Sequence, residues 1–145
     1  MDVCGTYPDR IAAGMALCGG CSLKDVSGLG KLPFWIIHGT ADRAVPVKQS
    51  KVVVDKLKRD GNDTRLIYDW WQGANHGMPA RVFYMKKTYQ WLFSHTLNDP
   101  DRPVNRDIDI SMGDVRNAYD GVNRNAPKPE LIDGPSVIKN EGNEY

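Results

Sequence analysis

Pro33-Phe34-Trp35-Ile36-Ile37-His38-Gly39-Thr40-Ala41-Asp42-Arg43-Ala44-Val45-Pro46 decides the fold of this chain. An apolar run of strand length ends at His38-Gly39, and Asp42 follows four positions after the histidine in a polar loop closed by Val45-Pro46. A buried parallel strand delivers a carboxylate in this way to the carboxyl edge of a sheet, where open α/β folds place their chemistry. Downstream, Asn75-His76-Gly77 occupies the next expected strand-to-helix turn. His76 lies 34 positions after Asp42, room for a helix, a turn and a strand, so the two loops can meet at one sheet edge.

Outward from that strand, the pattern alternates. Between Val47 and Arg59, Val47, Val54 and Leu57 fall near one helical face with Val53 beside them, while Lys48, Lys51, Lys56, Lys58 and Arg59 take the others. This is an amphipathic surface helix stopped by Asp60-Gly61-Asn62. Thr64 to Trp70 reads as a strand and Gln72 to Pro79 as a loop. A second helix is expected from about Ala80 to His95, with Val82, Met85, Tyr89, Leu92 and Phe93 in its apolar stripe and Lys87, Thr88 and Gln90 outside it. Upstream, Tyr7-Pro8-Asp9-Arg10 is a turn ending a helix for which Met1 to Thr6 supply too few residues, and Ile11 to Cys18 is a buried strand bounded by Gly19-Gly20. Strand, loop, strand, helix, strand, helix specifies an α/β class with a three-stranded parallel sheet and flanking crossover helices.

Composition changes after residue 97, dividing the chain into 1–97 and an acidic, mostly irregular tail, 98–145. Asp99-Pro100-Asp101-Arg102-Pro103 resembles a linker. Ser111-Met112-Gly113-Asp114 has the spacing of a capping box, so one short helix is expected from about Met112 to Tyr119. Gly134 to Tyr145 has the composition of a disordered end.

At 145 residues, with 41% hydrophobic and 26% charged residues, the chain fits one ordinary globular domain rather than a disordered or collagen-like polymer. Residues 1–96 carry 13 basic against 8 acidic residues and residues 97–145 carry 6 against 10, with no dense basic patch interleaved with aromatics; nucleic acid is not an expected partner. No apolar run approaches the roughly 18 residues of a membrane span, and Met1-Asp2-Val3 does not open a signal peptide; no membrane partner is expected and the compartment stays open. Cys4, Cys18 and Cys21 are an odd number, against a disulfide framework. Cys18-Gly19-Gly20-Cys21 has C-x-x-C spacing, but zinc needs about four ligands and no second pair exists, so no metal is expected.

The chemistry therefore centres on Asp42 and His76. A base histidine needs a carboxylate on its other nitrogen to fix the tautomer and stabilise the imidazolium, and these two residues fall on successive strand-end loops. His38, directly before Gly39, is read as shaping the turn, and His95 as a favourable contact with a helix end.

Pro8-Asp9-Arg10, Ala12-Ala13 and Cys18-Gly19-Gly20, then Pro33-x-Trp35-x-x-His38-Gly39-x-x-Asp42-x-x-Val45-Pro46, Asn75-His76-Gly77 and Tyr89-x-Trp91-Leu92 together resemble the carboxyl-terminal half of an α/β-hydrolase. The nearest flavour is the bacterial esterase group related to dienelactone hydrolases, prolyl oligopeptidases and phospholipase/carboxylesterases, over about residues 5–97. The resemblance implies a partial α/β-hydrolase fold, with Asp42 as triad acid and His76 as triad base. It also implies a parent that hydrolyses a small-molecule carboxylic ester, less often a peptide or thioester, through an acyl-enzyme with no metal or organic cofactor. The family's nucleophile lies in G-x-S-x-G upstream of the segment that Pro8-Asp9-Arg10 resembles, and is expected to lie upstream of Met1, with the oxyanion loop. Within the chain, Gly20-Cys21-Ser22-Leu23-Lys24 places Lys24 where the elbow needs a very small residue, Ser136 has no strand before it, and Cys4 lacks the flanking motif. The expected function is a serine hydrolase portion carrying acid and base without the nucleophile, inactive alone; a non-catalytic interaction module or a truncated gene product are the alternatives. Ile11 to Cys18, left as an apolar edge strand, is expected to promote oligomers or aggregates.

Overall fold

The apolar run before His38-Gly39 becomes the middle strand of a parallel sheet in the computed structural model, which describes residues 1–120. The strands are β1 (Gly14–Leu17), β2 (Phe34–Gly39) and β3 (Leu66–Trp71), in the order β1-β2-β3. Gly14 registers with Phe34 and Leu17 with Ile37, and Phe34 registers with Leu66 and Gly39 with Trp71. Every β2 residue is buried because both of its faces are covered, which explains why its sequence is continuously apolar instead of alternating.

The helices are α1 (Asp2–Thr6), α2 (Lys48–Arg59), α3 (Lys86–Phe93) and α4 (Met112–Arg116), with 3₁₀ turns at Pro8–Arg10, Ser27–Lys31 and Pro79–Tyr84. On one face of the sheet, Phe34, Ile36 and Leu66 pack with Val53, Val54 and Leu57 of α2 and with Leu29 and Leu32 of the β1–β2 connection. On the other, Trp35 and Ile37 pack with Val82, Met85 and Trp91 and with Val115 and Ala118 beyond them. Two adjacent residues of β2, Ile36 and Ile37, thus anchor opposite cores, the period-two consequence of strand geometry.

The expected helix from Ala80 to His95 is two pieces. After the 3₁₀ turn, Met85 is extended (φ −107°, ψ 127°), and α3 starts afresh at Lys86. The break resets the helical phase. Met85, Thr88 and Trp91 turn inward, whereas Tyr89 and Phe93, expected in the stripe, turn outward, Phe93 to 82% exposure. Trp91 explains the choice: it stacks edge-on against Trp35 at 5.3 Å between ring centroids, and its Nε1–H donates to the Asn105 carbonyl at 2.7 Å, satisfying the one polar atom that a buried indole carries. Thr88, expected on the solvent side, is fully buried and donates its hydroxyl to the Val82 carbonyl at 2.6 Å, covering an acceptor at the end of the 3₁₀ turn.

Residues 98–120 have little regular structure but are docked to the sheet. Val104, Ile108 and Ile110 pack against the second core. Arg102, at φ 45°, donates to the carbonyls of Pro8 (2.7 Å), Ile11 and Ala12 (3.0 Å) ahead of β1. Arg65 reaches the carbonyls of Asp101 and Arg102, and Arg106 those of Thr64 and Leu66 at the start of β3. The Ser111-Asp114 capping box forms, and α4 spans Met112–Arg116, shorter than expected. The backbone and side-chain hydrogen bonds of Ser111, with Lys87 beside them, lower the Asp114 carboxyl to about 2. Gly134 to Tyr145 lies outside the described residues. No helix among the described residues is long and apolar enough to cross a membrane.

Candidate active site

Two loops at the carboxyl edge of the sheet, one after β2 and one after β3, are bound to each other. Thr40 N–H donates to the Trp71 carbonyl and Ala41 N–H to the Ala74 carbonyl, at 2.9 and 3.0 Å. The Thr40 hydroxyl donates to Gln72 Oε1 at 2.7 Å and accepts from Gly73 N–H. Gly39 permits this contact, since a Cβ there would stand 2.2 Å from the Ala74 oxygen.

The consequence is that Asp42 Oδ2 and His76 Nδ1 lie 2.7 Å apart. Asp42 is buried, and its Oδ1 accepts the N–H groups of Ala44 and Val45, both at 2.9 Å. Burial alone would raise this carboxyl. The Val45 N–H, His76, the Cys18 thiol and the Ala44 N–H outweigh it and hold the group well below the usual carboxylate range. An ionised Asp42 can only accept, so His76 Nδ1 carries a proton, and in the neutral ring Nε2 is then the acceptor. The His76 side chain is 51% exposed, at an open cleft of about 650 Å³ lined by Ala41, Arg43, Ala44, Asn75, His76 and Gly77. That arrangement can take a proton from a group presented in the cleft.

Behind the acid stand residues that sequence reasoning did not assign to it. His38 is fully buried, with Nε2 at 2.9 Å from the Val45 carbonyl and 3.3 Å from Asp42 Oδ2, and Nδ1 at 2.7 Å from Ser50 Oγ. Ser50 Oγ also reaches the Gly19 carbonyl at 2.6 Å. A readable signal existed: Ser50 shares the stripe of Val53, Val54 and Leu57 on α2, and a buried hydroxyl on an apolar stripe needs a partner. Cys18, at φ 49° just past β1, is buried; burial, with the Asp42 charge beside it, pushes its thiol up to about 11. Cys18, His38 and Asp42 form the one cluster among the described residues with ligand-type atoms within 4.8 Å of one another, but these atoms are already engaged in hydrogen bonds within the cluster and to Val45. Cys4, Cys18 and Cys21 are free thiols. His95 meets the end of α3, its Nδ1–H donating to the Trp91 carbonyl at 2.8 Å while Nε2 accepts from Asn105 N–H.

The five serine hydroxyls of the described residues bond elsewhere: Ser22 to Asp2, Ser27 to Asp25, Ser50 to Gly19, Ser94 to the Trp91 carbonyl and Ser111 to Asp114. His76 Nε2 has no hydrogen-bond partner among the described residues.

Comparison with known proteins places the chain in a family. Residues 23–99, more than half of the chain, match the Prolyl oligopeptidase family. Among solved structures, the crystal structure of a thermostable esterase is similar, at 26% identity and a TM-score of 0.56 over 64% of this chain. The match takes in 26% of the esterase chain, so this protein spans about a quarter of its length. No curated protein matches. The matched span contains Asp42, His76 and the two loops that join them, and the three-stranded parallel sheet with its flanking helices is part of an α/β-hydrolase fold: the chain belongs to the prolyl oligopeptidase family of serine hydrolases.

Proposed function

We propose that Asp42 and His76 are the acid and base of a serine-hydrolase triad whose nucleophile and oxyanion donors come from a segment outside residues 1–120, and that the assembled enzyme cleaves carboxylic esters. The observation that carries this reading is the 2.7 Å bond between Asp42 Oδ2 and His76 Nδ1, which leaves Nε2 without a hydrogen-bond partner among the described residues on a side chain that lines an open cleft. In the assembled site, Nε2 takes the proton of a serine hydroxyl as its oxygen attacks the ester carbonyl carbon. The same proton passes to the departing alcohol, and water repeats the cycle on the acyl-enzyme. The commitments of all five described serine hydroxyls support an external nucleophile, and the similarity to an esterase favours esters over peptides.

Fluorophosphonate labelling and p-nitrophenyl ester hydrolysis test the reading. The 145-residue chain alone is expected to show neither above background. Joined to the product of its upstream coding region, it is expected to show both, and His76→Ala then lowers kcat by several orders of magnitude. Labelling of the chain alone, with the adduct mapped by mass spectrometry, would place a nucleophile within it and overturn the proposal.

A further inference from the structure

Asp42 sits in a loop, and a loop by itself does not hold a carboxylate to a fraction of an ångström. The Asp42 backbone N–H makes only a long bond to the Gly39 carbonyl, 3.3 Å. The loop is fixed by the Ala44 N–H, which donates to Asp42 Oδ1 at 2.9 Å, and by Val45, held at both its main-chain groups: its N–H donates to Asp42 Oδ1 at 2.9 Å and its carbonyl lies 2.9 Å from His38 Nε2. A carbonyl and a carboxylate can only accept, so Nε2 carries a proton toward Val45 and Asp42. The orientation of the His38 ring is set in turn by Ser50 on α2, and Ser50 is held by the Gly19 carbonyl beyond β1. One relay, Gly19–Ser50–His38–Val45, buried at its Ser50–His38 link, therefore ties β1, β2, α2 and the acid loop together at the sheet edge.

Oδ2 of Asp42 also lies between two imidazoles, His76 Nδ1 at 2.7 Å on the solvent side and His38 Nε2 at 3.3 Å on the buried side. The half-exposed His76 takes its orientation from Asp42, so whatever positions Oδ2 positions the base. We propose that His38, supported by Ser50, is a positioning residue for the triad: it sets the Asp42 carboxylate so that its outer oxygen meets His76 Nδ1. This rests on the triad reading above and adds the part that lies behind it. The acid of this chain is aimed from the core by a second histidine that never meets substrate.

Two readouts test it. In the isolated chain, ring-nitrogen NMR is expected to find His38 Nε2 protonated and His76 Nδ1–H shifted downfield by its bond to Asp42. His38→Leu and Ser50→Ala, checked for folding by circular dichroism, are expected to weaken or lose that His76 signal, while His38→Gln, whose amide can still donate toward Val45, keeps it. In the chain joined to its upstream segment, His38→Leu is expected to lower kcat about 10²-fold, the cost of a misplacement of about 1 Å, with KM nearly unchanged; Ser50→Ala follows in the same direction by less, and Gln restores most of the rate. If His38→Leu does not fold, Ser50→Ala and His38→Gln still decide. Folded Ser50→Ala with an unaltered His76 signal and rate overturns the proposal, as does an equal loss in His38→Gln. If the joined wild-type protein fails to hydrolyse esters, the triad reading fails, and the NMR comparison still decides whether His38 positions Asp42.

Discussion

Asp42→Asn isolates what an ionised acid contributes to this loop, and its cost is measurable without catalysis. In the native chain the carboxylate accepts from two backbone N–H groups at 2.9 Å and from His76 at 2.7 Å. Asparagine keeps one carbonyl oxygen for the two N–H groups, but an ionised acceptor is worth about twice a neutral one, so each bond loses about 1 kcal/mol. Its amide then points an N–H donor at the buried His38 Nε2–H, which leaves two buried donors facing each other at a cost of about 1–3 kcal/mol, while the half-exposed His76 can accept from the amide only in its other tautomer. The sum is about 3–5 kcal/mol, a large part of the 5–15 kcal/mol that ordinarily separates folded from unfolded domains. Urea unfolding at pH 7, followed by tryptophan fluorescence, measures it. The same variant fixes the sign of an acid effect. Because the folded Asp42 carboxyl is held below its unfolded value of about 3.9, its contribution is present above that pH and is lost as pH falls through the folded value. Wild type is thus expected to lose stability steeply below about pH 4, and Asp42→Asn to lose less over the same range. Equal midpoints at pH 7, or parallel acid profiles, would refute the account of Asp42 as a buried, ionised acceptor.

The reset helical phase predicts that Trp91→Ala destabilises by about 3–5 kcal/mol, whereas Phe93→Ser, just over half a turn away on the opposite face, changes stability by less than about 0.5 kcal/mol; the reverse order in urea melts would restore the continuous helix. β1 has no strand on its outer side among the described residues, so the isolated chain is expected to form oligomers or aggregates through that edge; a single monomeric species in sedimentation velocity at tens of micromolar would contradict this.

Much of the sheet was legible because its signals are local. Six consecutive buried positions in β2, a turn that only Gly39 allows, and an alternation of strand and helix all write themselves into neighbouring residues. Asp42 and His76 could be paired because each follows its strand directly, so topology alone brings them together. The arrangement behind Asp42 was less visible, since Ser50 and Cys18 meet the acid loop from two other elements: Ser50 belongs to no motif, and the motifs that hold Cys18 point to Cys21 or to the strand end and not to Asp42. The expected stripe on the second helix failed because Tyr89 and Phe93 fit a continuous 3.6-residue period, and nothing between Tyr84 and Lys86 marks Met85 as extended. Burial of Trp91 against Trp35, a contact across 56 positions, overrode that period. The docking of residues 98–120 was hidden for a different reason: its polar contacts are largely arginine to main chain, and a carbonyl has no letter in the sequence.

That last feature bears on how this protein can change over generations. Arg65, Arg102 and Arg106 grip main-chain oxygens of Pro8, Ile11, Ala12, Thr64, Leu66, Asp101 and Arg102. An ion pair is vulnerable at both ends, because either side chain can mutate and a loss at one end can be compensated at the other. Here one end is indifferent to mutation, since every residue type supplies the same oxygen, and the other end has no substitute: lysine brings a single ammonium where Arg102 spreads its donors over three carbonyls. Variation should therefore pass freely through the gripped positions, so far as packing allows, and stall at the arginines. No compensating pairs should arise between them, and covariation between sequences would leave this attachment of the tail unseen.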